Sequence, residues 1–142
     1  MSDSDAGQPV FAGSFLRKRE IVLDAELIED ASERARILIH ELFHFVWLRL
    51  GNPARASWSG LLEKELTSRA RGELGWSSAW RKLAHRTDRQ WREYICESFC
   101  DTSAWMYAGL DVHDEFTLAR RWRLARRRWF EARFTADRSI RI

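Results

Sequence analysis

His40 and His44 stand four residues apart in the run Ile37-Leu38-Ile39-His40-Glu41-Leu42-Phe43-His44-Phe45-Val46-Trp47-Leu48, and Glu41 directly follows the first of them. On a helix, positions i and i+4 leave the same face, so both imidazoles project together. Two neutral imidazoles so placed hold one Zn²⁺ at roughly 2.0–2.1 Å each, with the neighbouring carboxylate within reach of a water on the metal. Zinc lowers the pKa of that water and Glu41 takes its proton, which makes a nucleophile at neutral pH. A lone histidine on an apolar face is more often a hydrogen-bonded core residue. Two at ligand spacing, around a glutamate that is costly to bury unpaired, favour a metal.

A second element carries matching chemistry. Trp91, Tyr94, Ile95, Phe99, Ala104 and Trp105 mark the apolar positions of a helix over about 88–108, closed by Gly109. On it Glu93, Glu97 and Asp101 follow one another at four-residue spacing, so three carboxylates line one face. Like charges stacked in this way repel unless something positive faces them, and a zinc ion with its histidines supplies that charge.

The elements that must position these groups are also marked. Asp30 or Ser32 can cap a helix over about 31–50, with Glu33 completing a capping-box-like start, and Gly51-Asn52-Pro53 stops it. Before it, the short apolar runs Val10-Phe11, Phe15-Leu16 and Ile21-Val22-Leu23, divided by turn residues, predict a small hairpin near 10–24. After it, Gly51 to Ser59 reads as a connection, and Leu61-Leu62-Glu63-Lys64-Glu65-Leu66 begins a short amphipathic helix ended by Gly72 or Gly75. A further short helix over Ser77 to His85 has Trp76, Trp80 and Leu83 as its buried members. Glu115 to Arg141 reads as a basic amphipathic helix, with Leu118, Trp122, Ala125, Trp129 and Ala132 as its packed stripe and Arg120, Arg121, Arg123, Arg126, Arg127 and Arg128 on its solvated faces.

The bulk of the chain sets bounds. Its 142 residues, 45% hydrophobic, fit one domain over 10–142 behind a polar lead-in at 1–9, and exclude a disordered protein. The lead-in lacks the basic start and apolar stretch of a signal peptide, and no run reaches transmembrane length. Cys96 and Cys100 fall in one predicted helix, where a disulfide closes only a trivial loop, so a reduced, cytoplasmic protein is expected. The basic residues are 21 Arg against 3 Lys within a net charge of +3, which suits either anion recognition or a compositional habit.

Glu97-Ser98-Phe99-Cys100-Asp101, downstream of His40-Glu41-x-x-His44, resembles the Glu-x-x-x-Asp pattern of the gluzincin metallopeptidases. The resemblance implies that His40, His44 and Glu97 bind zinc, that Glu41 is the general base, and that Asp101 hydrogen-bonds a ligand histidine. Within that group Arg34 to His44 and Glu97 to Ala104 look like the two motif segments of small intracellular ImmA/IrrE-type metallopeptidases, which are implicated in inactivating repressors. Phe43 stands where a Gly is common there, the usual proline after the third-ligand helix is missing, and no helix-turn-helix segment is evident. Trp47 and Leu50 occupy the positions where a metzincin carries Gly and His. Glu93 is the rival third ligand, an assignment that leaves Asp101 without a role. Cys100, about 60° round the helix from Glu97, is a weaker one. For a donor to the developing oxyanion, Tyr94 comes first, ahead of His85 and Tyr107, with His113 remote.

These readings converge on a helix-dominated α+β domain of minimal zincin type, with a small N-terminal hairpin or sheet packed on the active-site helix. The expected function is zinc-dependent hydrolysis of peptide bonds, with a peptide or protein as substrate and no membrane partner. The alternative is a non-catalytic zinc-containing regulator that binds a protein or nucleic acid through its basic C-terminal helix. Glu41 discriminates, because a purely structural site has no use for a base beside its ligand.

Overall fold

The apolar periodicity around His40 and His44 becomes a helix, α1, over Ala31–Arg49. Its first turn is capped by Asp30, whose side chain accepts the Glu33 backbone N–H at 2.9 Å. Gly51, at φ +65°, ends the run. The structure, a computed structural model, describes residues 12–15, 20–23, 30–110 and 112–134. The expected lead-in at 1–9 and the last part of the C-terminal helix lie outside these.

Four further helices follow: α2 over Asn52–Thr67, α3 over Trp76–Ala84, α4 over Asp88–Tyr107 and α5 over Arg120–Arg133. Two four-residue strands, β1 (Ala12–Phe15) and β2 (Glu20–Leu23), pair antiparallel with Ala12 opposite Leu23 and Phe15 opposite Glu20. The α+β expectation is overturned. The architecture is helix on helix, and the extended chain among the described residues amounts to one two-stranded ribbon of eight residues, too little to make a sheet layer.

The principal core is built by α1, α2, α4 and α5. Phe43 and Val46 of α1 meet Trp58 and Leu62 of α2, Ile95 and Phe99 of α4 and Phe130 of α5. Phe99 is its hub, fully buried, with ring centroids of Phe130, Trp47 and Phe43 at 5.1, 5.1 and 5.8 Å. A smaller cluster joins Leu74, Phe116, Leu118 and Trp122. α1 lies along α4 more extensively than any other pair of elements, and this packing brings the two sequence motifs face to face.

Three local expectations are corrected. The connection at 51–59 is helical, because Pro53 suits a first helical turn and Ala54 and Trp58 extend the buried stripe of Leu62 and Glu65 backwards. Trp76, Trp80 and Leu83 of α3 are not buried; they are 55%, 48% and 80% exposed. The inward side of α3 is instead the small, hydrogen-bonded Ser78, which leaves no depth for a large side chain. The C-terminal helix begins at Arg120, not Glu115, because 115–118 is tied to the chain at 72–76. Thr117 and Leu118 donate backbone N–H groups to the Glu73 carbonyl at 2.9 and 3.0 Å. Gly72 permits this approach: it has φ +86°, and a Cβ there would lie 2.3 Å from the Thr117 carbonyl oxygen.

The stripe of α5 also differs. Its buried members are Trp122, Arg126 and Phe130, so Arg126, expected on a solvated face, is fully buried. Its guanidinium is held by Glu65 (Nε to Oε2, 2.9 Å) and by both carboxylate oxygens of Glu73 (2.8 Å each), with Thr102 Oγ1 at 3.1 Å. A buried arginine persists only where its donors are met in this way.

Candidate metal centre

α1 presents His40 and His44 on one face, with ring centroids 5.2 Å apart, and α4 presents Glu97 between them. Glu97 Oε1 lies 3.4 Å from His40 Nε2, and Glu97 Oε2 lies 3.0 Å from His44 Nε2. Ligand atoms of the three side chains all fall within 4.8 Å of one another. His44 Nε2 is buried and, for all its closeness to Glu97, makes no hydrogen bond. A buried imidazole nitrogen that faces a carboxylate in this way needs a proton or a cation between the two, and a metal ion is one such bridge. Two imidazole nitrogens and a carboxylate are also the donor set of a catalytic zinc site, so the residues fit that metal.

The remaining contacts hold these donors in place. His40 Nδ1 is 2.7 Å from Asp101 Oδ1, which fixes the ring and leaves Nε2 directed at the cluster. The other oxygen of Asp101 accepts the Ser78 N–H at 3.0 Å and the Ser78 hydroxyl at 2.6 Å. Asp101 therefore also caps α3, whose preceding residue Gly75 has no side chain to obstruct it. A Cβ on Gly75 would lie 2.3 Å from the Asp101 carboxylate. Glu97 accepts the Ser77 hydroxyl on Oε1 at 2.5 Å, and Arg81 Nη1, 3.8 Å from the same oxygen, donates to Ser77 Oγ at 2.9 Å.

Charge within the cluster is mutually balanced. Burial works to lower the pKa of both histidines, but the facing carboxylates prevail. Asp101 and Glu97 hold His40 well above the ordinary value, while Glu97, with Cys96, raises His44 to about 10. Burial works to raise Glu97, and the two histidines hold it well below the usual carboxylate range. Without a cation the imidazoles keep protons to neutralise the carboxylates, and a divalent ion would replace those protons.

The structure therefore brings together His40, His44, Glu97 and Asp101 from the sequence reading. Glu41 is buried on the same turn as His40. Glu93 is not brought in: its side chain is 41% exposed and pairs with Arg89 at 3.4 Å. Cys100 lies in the core, and with Cys96 it approaches His44 from a separate set of donors.

The placement expected of Tyr94 is corrected. Its ring is in the core and its hydroxyl donates to Glu73, within the Arg126 network, so it is committed away from the cluster. Burial and the Glu73 charge hold its pKa well above the ordinary value. The other oxyanion candidates have neighbours of their own. His85 Nδ1 contacts the Lys82 carbonyl at 2.9 Å, Tyr107 packs on Phe43 at 5.6 Å, and His113 Nε2 pairs with Glu33 at 2.8 Å.

Sequence reasoning missed Gly75, Ser77, Ser78 and Arg81, the residues with which α3 holds Glu97 and Asp101. Two serines in the first turn of a helix are an available signal of hydrogen bonding there. Which carboxylates they serve depends on how α3 docks on α4. A separate cavity of about 430 Å³, lined by Trp105, Met106, Leu110, Arg123, Leu124 and Arg127 among others, includes none of the clustered residues.

Comparison of the chain with protein-family models, with curated proteins and with solved structures returned no match. Among the described residues, no helix is long and apolar enough to cross a membrane.

Proposed function

We propose that the protein is a zinc-dependent metallopeptidase of gluzincin type that acts on a peptide or protein substrate. One observation carries this reading: His40 and His44 of α1 and Glu97 of α4 converge within 4.8 Å, with Asp101 fixing His40 from behind. A zinc ion held by His40, His44 and Glu97 supplies Lewis acidity, which acidifies water and polarises a carbonyl.

The chain's own residues do the rest. Glu41, on the turn that carries His40, accepts the proton of the attacking water and passes it to the leaving amine. Asp101 keeps the His40 proton on Nδ1, so that Nε2 remains a donor of electrons. Ser77 and Arg81 hold Glu97 in register with both histidines. The two free cysteines suit the reducing cytoplasm in which we place the protein.

The test is Glu41→Gln. This variant should keep its metal and lose about 10²-fold or more of the peptide hydrolysis measured for the parent, the size expected for loss of a general base. Full activity with metal retained would remove Glu41 from the mechanism.

A further inference from the structure

His44 faces two different sets of donor atoms. Its Nε2 faces Glu97, as described above, while its Nδ1 lies 3.7 Å from Cys96 Sγ. Cys100 is one turn further along α4, and ligand atoms of His44, Cys96 and Cys100 all lie within 4.8 Å of one another. Both cysteines are free thiols, and Cys100 is fully buried. Nothing in the proposed hydrolysis uses either of them.

We propose that His44 Nδ1, Cys96 and Cys100 form a second metal seat, one that takes a soft thiophilic cation such as cuprous copper or cadmium more tightly than the first seat does, and that this seat and the His40/His44/Glu97 seat exclude each other. The seat stands on its own donors; the exclusion rests on the zinc reading above.

The donor chemistry separates the two seats. Two thiolates and one imidazole hold a soft cation such as cadmium more tightly than two imidazoles and a carboxylate do, while both donor sets accept zinc. Binding at the sulfur seat displaces both thiol protons to solvent, and the two thiolate charges then compensate the cation within a buried environment. The sequence makes the seats adjacent, because Cys96 and Cys100 flank Glu97 on the same helix.

Exclusion follows from the single lone pair of a neutral imidazole. With a soft cation on Nδ1, the His44 proton sits on Nε2, which lies 3.0 Å from Glu97 Oε2, and the first seat loses a ligand. With zinc on Nε2, the proton sits on Nδ1 beside Cys96 Sγ, and the second seat loses its nitrogen. Occupation of the sulfur seat would therefore silence the hydrolytic site without touching Glu41.

The experiment is titration of the full, metal-free, reduced chain with Cd²⁺, read by thiolate-to-cadmium charge-transfer absorption. Cadmium on the nitrogen and carboxylate donors gives no such band, so the band reports the sulfur seat alone. About one equivalent should saturate it, and zinc loaded beforehand should weaken cadmium binding there by roughly tenfold or more in the parent and markedly less in Glu97→Ala, whose first seat is lost. Cys96→Ser/Cys100→Ser should abolish the band and still bind zinc. Cys96→Ser alone, at the less buried position, should keep the fold and reduce the band.

No thiolate band in the parent, cadmium and zinc bound together without mutual effect, or equal competition by zinc in the parent and in Glu97→Ala would overturn the proposal. A cadmium thiolate band in a chain that binds no zinc would refute the zinc reading and leave the sulfur seat in place. Zinc binding with no thiolate band would do the reverse.

Discussion

His40 Nδ1 lies 2.7 Å from Asp101 Oδ1, a contact across 61 positions of sequence, and the second oxygen of the same carboxylate takes both the N–H and the hydroxyl of Ser78. One side chain thus orients a ligand on α1 and caps α3. Asp101→Ala should lower zinc affinity by about 10- to 100-fold, the usual cost of losing a group behind a ligand histidine, and should destabilise the fold by about 1 kcal/mol or more through the lost cap. Competition with a chromophoric chelator and a thermal melt measure the two effects separately.

Gly75 supports the same carboxylate by having no side chain. Its φ of −178° is ordinary extended backbone, so the constraint is one of space alone. Gly75→Ala would drive a methyl group into Asp101, displacing it from His40 and Ser78. The expected outcome is a stability loss of about 1–3 kcal/mol by denaturant titration, together with weakened zinc binding. An alanine variant with parental affinity would show that Asp101 can shift without cost.

Metal uptake should depend on pH through the protons it displaces. His40 and His44 are held above the ordinary imidazole value by Asp101 and Glu97, with His44 at about 10. Raised values mean that protonation stabilises the metal-free fold, fully below the ordinary value of 6.5 and decreasingly as pH rises through about 10. Zinc must displace those protons, so its affinity should rise with pH across this window. Calorimetry near neutral pH, in buffers of different ionisation enthalpy, should find about one to two protons released per zinc.

The Arg126 network governs stability in acid. Burial would raise the pKa of Glu73, but the paired guanidinium holds it down to about 2 from an ordinary 4.5. A depressed carboxylate contributes stability that is present above the ordinary value and lost as pH falls through the folded one. Roughly 3 kcal/mol should therefore disappear between about pH 4.5 and pH 2. Arg126→Met, which leaves Glu65 and Glu73 buried without their partner, should cost about 3–5 kcal/mol in urea unfolding near neutral pH and abolish the loss between about pH 4.5 and pH 2.

What the sequence shows and what it hides follow from the range of the interactions. The residues of the candidate centre were legible because their spacing is local: His40 and His44 are one turn apart, and so are Glu97 and Asp101, although the choice of these two over Glu93 came from the gluzincin resemblance. The bounds of α1 were legible from Asp30 and Gly51, whose capping acts within a single turn. The inward face of α3 was not, because large apolar side chains normally mark the buried side. Here the inward side is claimed by Ser78, which Asp101 and Glu73 require, and Trp76, Trp80 and Leu83 face outward. Arg126 was hidden for the same reason, since Glu65 and Glu73, which make its burial tolerable, lie 61 and 53 positions away. Tyr94 was placed correctly on its helix, but the Glu73 carboxylate that takes its hydroxyl arrives from a separate segment.

The central claim is that α1 and α4 together hold one metal ion, and metal content tests it most directly. The purified parent and its Glu97→Ala variant should be compared after reconstitution with zinc and removal of the excess. The account predicts about one zinc per chain in the parent and a large loss in the variant, with helix content unchanged. A parent that takes up no zinc, or a variant that retains as much as the parent, would contradict it.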